Sequence, residues 1–370
     1  VLRVLVLVPY YGGSHRAWAE GYVRASRHEV SLVTLPARFW KWRMQGGAVT
    51  LATEVVARGL HPDVIVATDM VNLPAFLGLT RRHLGQVPVL LYCHENQLTY
   101  PLQPGEKRDL TYAMINWLSM LAADRVCFNS RFHLEDWFGA LPGLLKHFPD
   151  CSHLPKIPEV FARSEVLPVG CTLRELLDTA SSVSEANEPP LILWNQRWEY
   201  DKDPEAFFRA LDTLVARGIA FRVALAGSNV RQQPEEFEAA RERLGARVVH
   251  FGYADFATYR RLLWEADVVV STARHEFFGV AVVEAITCAT FPILPRRLSY
   301  PELIPPSFHD QCLYTAPEEL VSHLVWALTH RTEAHEVALG LRPAMLRFDW
   351  TEVAPRYDEL LEEVAATAPV

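Results

Sequence analysis

The sequence predicts an α/β protein of two domains, each built on short parallel strands alternating with helices. Three observations point there. A chain of 370 residues is long enough for two cores of ordinary size. Short β-branched apolar runs recur along it, each followed by a stretch of helical length, as expected for strands buried on both faces of a parallel sheet. Glycines and polar residues are massed just past the ends of those runs, where open α/β sheets hold their ligands.

Half of the residues are hydrophobic, as in a globular protein. No apolar run reaches the length of a membrane span, and residues 1–8 read as a strand rather than a secretory leader, so a cytoplasmic protein is expected. The net charge of -8 argues against a surface coated in positive charge but leaves room for a local basic patch. Cys93, Cys127, Cys151, Cys171, Cys288 and Cys312 stand singly, without a C-x-x-C pair, which fits reduced thiols in a cytosol and argues against a zinc cluster.

Taken in order, residues 3–8 form a first central strand, and Pro9-Tyr-Tyr-Gly-Gly-Ser14 a loop into a helix from about His15. Gly12 and Gly13 let the backbone approach a ligand or make a plain tight turn. Their spacing is not that of a dinucleotide fingerprint. Residues 28–35 are a second strand. The following loop interleaves Arg38, Lys41 and Arg43 with Phe39, Trp40 and Trp42. Cations neutralise phosphates and flat rings stack on unpaired bases, a combination suited to single-stranded RNA. The alternative is buried rings with snorkelling cations. Strands at 63–68 and 88–92 flank a helix near 72–83, and the second runs into His94-Glu-Asn-Gln-Leu-Thr-Tyr-Pro101. A helix at 109–123, a strand at 125–129 and a helix capped by Ser130 follow. Residues 142–158 read as irregular, 166–170 as the last strand of this half, and 176–190 as a linker.

The second half opens with a strand at 191–194 that carries Asn195-Gln-Arg-Trp-Glu-Tyr-Asp-Lys202 at its end. Arg197 and Lys202 supply the positive charge that a diphosphate requires. Asp201-Lys-Asp203 has the D-x-D spacing of some metal sites, but Asp203-Pro204-Glu205 is a helix start, so no metal is expected. Strands at 221–226 and 248–251 end in Gly227-Ser-Asn229 and Gly252-Tyr253, leaving room for a base and ribose. Residues 266–271 are a buried strand, followed by Ser271-Thr-Ala-Arg-His-Glu-Phe-Phe-Gly-Val-Ala-Val-Val-Glu284 and a helix over 280–288. The N–H groups at such a helix start face a crevice where an anion or sugar hydroxyl binds. The plainer alternative makes Glu276 a cap and Glu284 a solvated carboxylate. Phe348-Asp-Trp350 breaks the last helices, and residues 351–365 carry an apolar face that crosses back onto the first domain.

In the second half, Arg197 and Lys202 (Arg-x4-Lys), the glycine loop at Gly227, and Glu276 with Glu284 (E-x7-E) occur in the order that resembles retaining GT-B glycosyltransferases of the GT4 type. Gln196, where many members have glycine, is a departure that loosens the implied phosphate geometry. In the first half, Tyr11-Gly-Gly-Ser-His15, Leu35-Pro-Ala with Trp-Lys-Trp-Arg43, His94 to Pro101 and Phe128-Asn-Ser130 together resemble the tRNA-queuosine mannosyltransferases. The resemblance spans nearly the whole chain. It implies two Rossmann-like domains facing each other across a cleft, an N-terminal acceptor domain over 1–175, a donor domain over 191–350, and a terminal helix at 351–370 returning to the first.

It also implies mannose transfer, with retention, from GDP-mannose to the cyclopentene diol of queuosine in the anticodon loop of aspartate tRNA, without metal or resident cofactor. Arg197 and Lys202 would hold the diphosphate, Glu276 with Phe277, Phe278 and Gly279 the mannose, and Glu284 the ribose. Gly12, Gly13, Gly227, Ser228, Asn229, Gly252 and Tyr253 would line the donor. His94 would touch the transferred sugar, with Glu95, Asn96, Gln97 and Tyr100 on the acceptor side beside Ser14, His15 and Asn129. Arg38, Trp40, Lys41, Trp42, Arg43 and Arg131 would contact tRNA, as could Arg81, Arg82, Lys107 and Arg108. The competing expectations are a GT-B transferase with a lipid, glycan or small-molecule acceptor, a GT-B epimerase or phosphorylase, and a non-catalytic RNA-binding protein on the same scaffold. The last predicts a damaged donor site, whereas Arg197, Lys202, Glu276 and Glu284 are all present.

Overall fold

The computed structural model describes residues 1–103, 105–178, 189–227 and 235–367. The chain divides into two units, residues 1–171 with 350–370 and residues 172–349. Most of the linker expected over 176–190, namely 179–188, lies outside the described residues.

The first unit runs β1 (Arg3–Tyr11), α1 (Gly13–Ala25), β2 (Glu29–Pro36), α2 (Trp40–Ala57), β3 (Val64–Thr68), α3 (Leu73–Leu84), β4 (Val89–Cys93), α4 (Leu110–Ala122), β5 (Arg125–Phe128), α5 (Arg131–Leu145), α6 (Ile157–Ala162) and β6 (Ser164–Val166). Its sheet has the order β2-β1-β3-β4-β5-β6, and every pairing is parallel. β3 and β4 are buried at every position, which is why their sequences are apolar without alternation.

The second unit continues α7 (Arg174–Leu177), β7 (Leu191–Trp194), α8 (Pro204–Ala216), β8 (Arg222–Ala226), α9 (Glu235–Leu244), β9 (Val248–Gly252), α10 (Phe256–Glu265), β10 (Val268–Val270), α11 (Val280–Thr287), β11 (Phe291–Pro295), α12 (Tyr300–Leu303), α13 (His309–Cys312), β12 (Leu313–Tyr314), α14 (Pro317–Thr329) and α15 (Arg331–Leu346). Its parallel sheet is ordered β12-β11-β10-β7-β8-β9. The last helix, α16 (Trp350–Ala366), packs in the first unit against α1, β3 and β4.

Three local expectations need correction. The basic and aromatic segment at 38–43 is not a loop throughout, because α2 begins at Trp40. Met44, Gly47, Ala48, Leu51, Ala52 and Val55 recur at helical spacing and are buried on one face, so packing extends the helix back to the tryptophan. The strand expected at 166–170 is β6, and it stops where the expected one begins. Leu167 still donates its N–H to Phe128, at 2.9 Å, but Pro168 has no N–H with which to continue the ladder. Residues 142–145 continue α5 through Pro142 instead of being irregular.

Trp350 fixes α16 in place. A Cβ added at Gly21 or at Gly170 would overlap its indole, so two glycines leave the space that the ring fills. Further along α16, Tyr357 accepts a hydrogen bond from Trp18 Nε1 at 3.0 Å. The Asp358 carboxylate accepts from Tyr22 Oη, Ser26 Oγ and the Arg27 N–H at 2.8, 2.7 and 2.9 Å. Trp350→Ala empties a buried ring site and is expected to lower the stability of the first unit by about 3–5 kcal/mol. Urea unfolding followed by circular dichroism measures this as a fall in midpoint.

Candidate active site

In the second unit β10 lies beside β7, with Val268 opposite Ile192 and Val269 opposite Leu193. The segments leaving the carboxyl ends of these two strands therefore emerge side by side. Lys202, on the single turn at 200–202, is buried. Its Nζ donates to the His275 carbonyl at 2.7 Å and to Glu276 Oε2 at 3.2 Å, and lies 3.3 Å from Asp201 Oδ2. The Asp201 carbonyl in turn accepts the Arg274 N–H at 2.8 Å, so the two segments are tied through backbone as well. Burial pushes the Glu276 carboxyl up, but the Lys202 charge, its hydrogen bond and the Phe278 N–H outweigh that and hold it below the usual carboxylate range. Burial and the neighbouring Lys202 charge push His275 down to about 4, leaving a neutral imidazole.

The turn between Glu276 and Gly279 is held from outside. Ser299 Oγ donates to the carbonyl of Phe278 at 3.0 Å and of Glu276 at 3.3 Å. Gly279, at φ +101°, is the N-cap of α11 in a conformation that other residues rarely adopt. Phe277 and Phe278 are buried, their rings packed on His275 and Phe348.

Glu284, one helical turn and more into α11, accepts from Tyr259 Oη at 2.7 Å. Asn195, at the end of β7, donates to Tyr259 Oη at 3.2 Å and to the Ala281 carbonyl at 2.8 Å. Burial pushes the Glu284 carboxyl up to about 7, against the lowering effect of the tyrosine hydrogen bond. A Cβ at Gly227 would overlap the Gln196 carbonyl, so the end of β8 sits directly on the segment after β7. Gly227 also donates its N–H to the Gly252 carbonyl at 3.0 Å. Tyr253 is exposed, and Arg197 is exposed beside Glu199 at 3.1 Å. Ser228 and Asn229 lie outside the described residues. Asp203 caps α8 through Ala206 and pairs with Arg274 at 2.9 Å, so its carboxylate belongs to the helix start.

The first unit brings a different group together at the carboxyl ends of β1, β3 and β4. The His94 ring lies 4.4 Å from the His15 ring, 4.7 Å from Trp18 and 4.8 Å from Tyr92, and its buried Nε2 has no hydrogen-bond partner. Burial, with His15 and His133 adding to it, pushes this imidazole well below its ordinary value, so it is neutral. The His94 backbone is pinned at both ends, its N–H by Asp69 Oδ1 at 2.8 Å and its carbonyl by Asn129 Nδ2 at 2.9 Å. Asn116 joins Asp69 to the next turn, donating to the Asp69 carbonyl at 2.8 Å and accepting the Gln97 N–H at 3.0 Å. Asp69 is buried, and desolvation followed by the charge of Glu95 raises its carboxyl well above the ordinary value.

Of the other residues anticipated on the acceptor side, Gln97 donates to Glu95 at 2.9 Å, while Asn96 is buried and closes its own turn onto Leu98 and Thr99. Arg108 donates to the carbonyls of Gln97 and Tyr100, at 3.0 and 2.8 Å, and so holds this segment. Gly13, Ser14 and Arg131 are exposed, and Gly12 meets Ala37 so closely that a side chain would not fit. Asp69, Asn116, Tyr259 and Ser299 were not anticipated, and Asp201 was weighed only as half of a D-x-D metal pair. A carboxylate just past the apolar run of β3 is a signal that could have found Asp69. Tyr259 carries none, because it reaches Glu284 through tertiary packing.

The family described as "tRNA-queuosine alpha-mannosyltransferase N-terminal" matches residues 3–171, and "Glycosyl transferases group 1" matches residues 178–338. A tRNA-queuosine alpha-mannosyltransferase of Drosophila melanogaster is 34% identical over 310 residues, 82% of each chain. A GDP-mannose-dependent alpha-(1-6)-phosphatidylinositol dimannoside mannosyltransferase of Mycobacterium tuberculosis is 27% identical over 165 residues, 44% of this chain and 42% of the relative. The sucrose-phosphate synthase of Thermosynechococcus elongatus shares the fold at TM-score 0.73 and 16% identity, covering 99% of this chain and 100% of that one. The two parallel sheets are thus those of the GT-B class.

Between about pH 4.5 and about pH 7 the folded protein holds a proton on Glu284 that the unfolded chain has released, so stability falls as pH rises through that window. Glu284→Gln removes this dependence. A plot of Tm against pH is expected to be flatter for the variant between pH 5 and pH 8, the difference growing toward the alkaline end.

Proposed function

The chain belongs to the tRNA-queuosine alpha-mannosyltransferase family, and from that membership we propose that it moves mannose from GDP-mannose to the cyclopentene diol of queuosine in the anticodon loop of aspartate tRNA. The observation that carries the donor half of this reading is the buried Lys202–Glu276 pair at adjacent strand ends, in the part of the chain that matches glycosyl transferases group 1. The GDP-mannose dependence printed in the name of the mycobacterial relative supports the choice of donor. The tRNA acceptor is supported by the family match over residues 3–171.

In this reading Lys202 and Arg197 meet the diphosphate, and their charge stabilises the negative charge that grows there as the sugar leaves. Glu276 and the N–H groups from Phe277 to Gly279 bind mannose hydroxyls. Glu284 accepts from the ribose, a role that calls for its ionised form and so favours nucleotide binding above about pH 7. The bond from the mannose anomeric carbon to the phosphate oxygen breaks, the bond from that carbon to a queuosine hydroxyl forms on the same face, and the hydroxyl proton passes to the leaving diphosphate. Such a step retains configuration and asks for neither a metal nor a side-chain base. His94, neutral and with Nε2 unpartnered, is suited to hydrogen-bond a sugar hydroxyl. Among the described residues no helix is long and apolar enough to cross a membrane, and we assign the reaction to the cytoplasm, where the tRNA is.

Incubation with GDP-mannose and queuosine-containing tRNA, followed by mass measurement of the released nucleoside, is expected to show one added hexose. UDP-glucose and queuosine-free tRNA should give none. Absence of the hexose on queuosine would overturn the reading. Glu276→Ala is expected to lose at least a hundredfold in kcat/KM while binding tRNA as before, and full activity in that variant would remove the donor-site assignment. Joint replacement of Arg38, Lys41 and Arg43 by alanine is expected to weaken tRNA binding and to flatten the plot of log affinity against log salt. Unchanged affinity would take this segment out of the interface.

A further inference from the structure

The segment joining β2 to α2 carries an unusual pair of rings. Phe39 has φ 54° and ψ 53°, the left-handed conformation that bulky residues avoid, and it leaves 72% of its surface in solvent. The conformation makes Phe39 the N-cap of α2, its carbonyl accepting the Arg43 N–H at 3.0 Å, but that backbone role asks for no apolar ring in solvent, and strained residues with such side chains gather where a ligand is clamped. Three residues on, Trp42 is 61% exposed. Its indole lies against the bare backbone of Gly46, where an added Cβ would be 2.8 Å from the ring. One face of Trp42 is therefore seated on the helix while the other is open.

The remaining ring of the segment behaves differently. Trp40 is partly buried, 5.0 Å from the Tyr112 ring, and packs on the small cluster of Met44, Met70, Tyr112 and Ile115. It anchors the first turn of α2 and is not available for stacking. Cations flank the rings: the Arg38 guanidinium is 6.0 Å from the centre of the open Phe39 ring, and Lys41 Nζ is 5.6 Å from that of the packed Trp40. Asp109 is the carboxylate that faces Lys41.

We propose that Phe39 and Trp42 form a two-ring platform on which unpaired bases of the RNA stack, with Arg38 and Lys41 taking the adjoining phosphates and Trp40 seating the turn. The inference rests on the tRNA reading above and deepens it. Stacking on a ring is indifferent to base identity but requires a base that is not paired, so the platform selects a loop over a helix. The charge complementarity of Arg38 and Lys41 to phosphate favours RNA as the occupant.

The test uses the full chain and three variants. Phe39→Gly keeps the left-handed backbone and removes the ring. Trp42→Ala removes the second ring. Gly46→Ala leaves both rings in the chain but pushes the Trp42 indole off its seat, while improving helix propensity. Fluorescence anisotropy against queuosine-containing tRNA, at several salt concentrations, is expected to show about tenfold weaker binding for each variant with an unchanged salt slope. Binding to a fully paired RNA duplex of similar length should not change. Wild-type affinity for tRNA in all three variants overturns the proposal, as does an equal loss on the duplex. Loss of binding to anionic phospholipid vesicles with tRNA binding intact would assign the rings to a membrane and overturn it as well. If the wild-type protein itself binds no tRNA, the tRNA reading falls and takes the platform with it, an outcome distinct from a failure of the rings alone.

Discussion

A buried ammonium must be answered by nearby oxygens, and much of the second unit follows from that requirement at Lys202. Left alone in the interior, the charge would cost several kcal/mol in lost hydration. Asp201, Glu276 and the His275 carbonyl surround it, and they come from two segments that β7 and β10 deliver side by side. The parallel pairing of the strands thus sets the electrostatics of the site. Glu276 stays ionised despite its burial because Lys202 is there, and His275 stays neutral through burial first and the Lys202 charge second.

The first unit applies burial in a different way. His94 is held at both its N–H and its carbonyl, by Asp69 and Asn129, while aromatic rings wall its imidazole. The result is a neutral histidine in a fixed place with Nε2 unpartnered. Desolvation and then the charge of Glu95 raise the Asp69 carboxyl well above its ordinary value, while its Oδ1 accepts the His94 N–H. One unit thus pairs opposite charges at its strand ends, and the other holds a neutral imidazole there.

Much of this was legible in the sequence, for physical reasons that can be named. Strands such as residues 64–68 and 89–93 are apolar at every position because they are buried on both faces, so their ends could be found and the polar residues beyond them recognised. Gly279 announced the α11 cap, and Asp203-Pro204 the start of α8. The start of α2 was harder, because Trp40 and Trp42 beside three cations look like a loop until the buried spacing of Met44, Ala48, Leu51 and Val55 is weighed. Tyr259 reaches Glu284 from 25 residues away in the chain, through the packing of α10 on α11, and Asn195 at a strand end in turn holds the Tyr259 hydroxyl; no local pattern encodes such a meeting. Asp69 lay between these cases, visible as a strand-end carboxylate but without a motif to single it out.

The place of α16 has a consequence for how the protein is made. Its Trp350, Tyr357 and Asp358 complete a packing surface whose other side is Trp18, Gly21 and Tyr22, so α1 waits for a segment that follows the whole second unit in the chain. Residues 172–349 form a unit of their own in between and can close their core while that wait lasts. Until α16 docks, the aromatic face of α1 that carries Trp18 and Tyr22 stays uncovered.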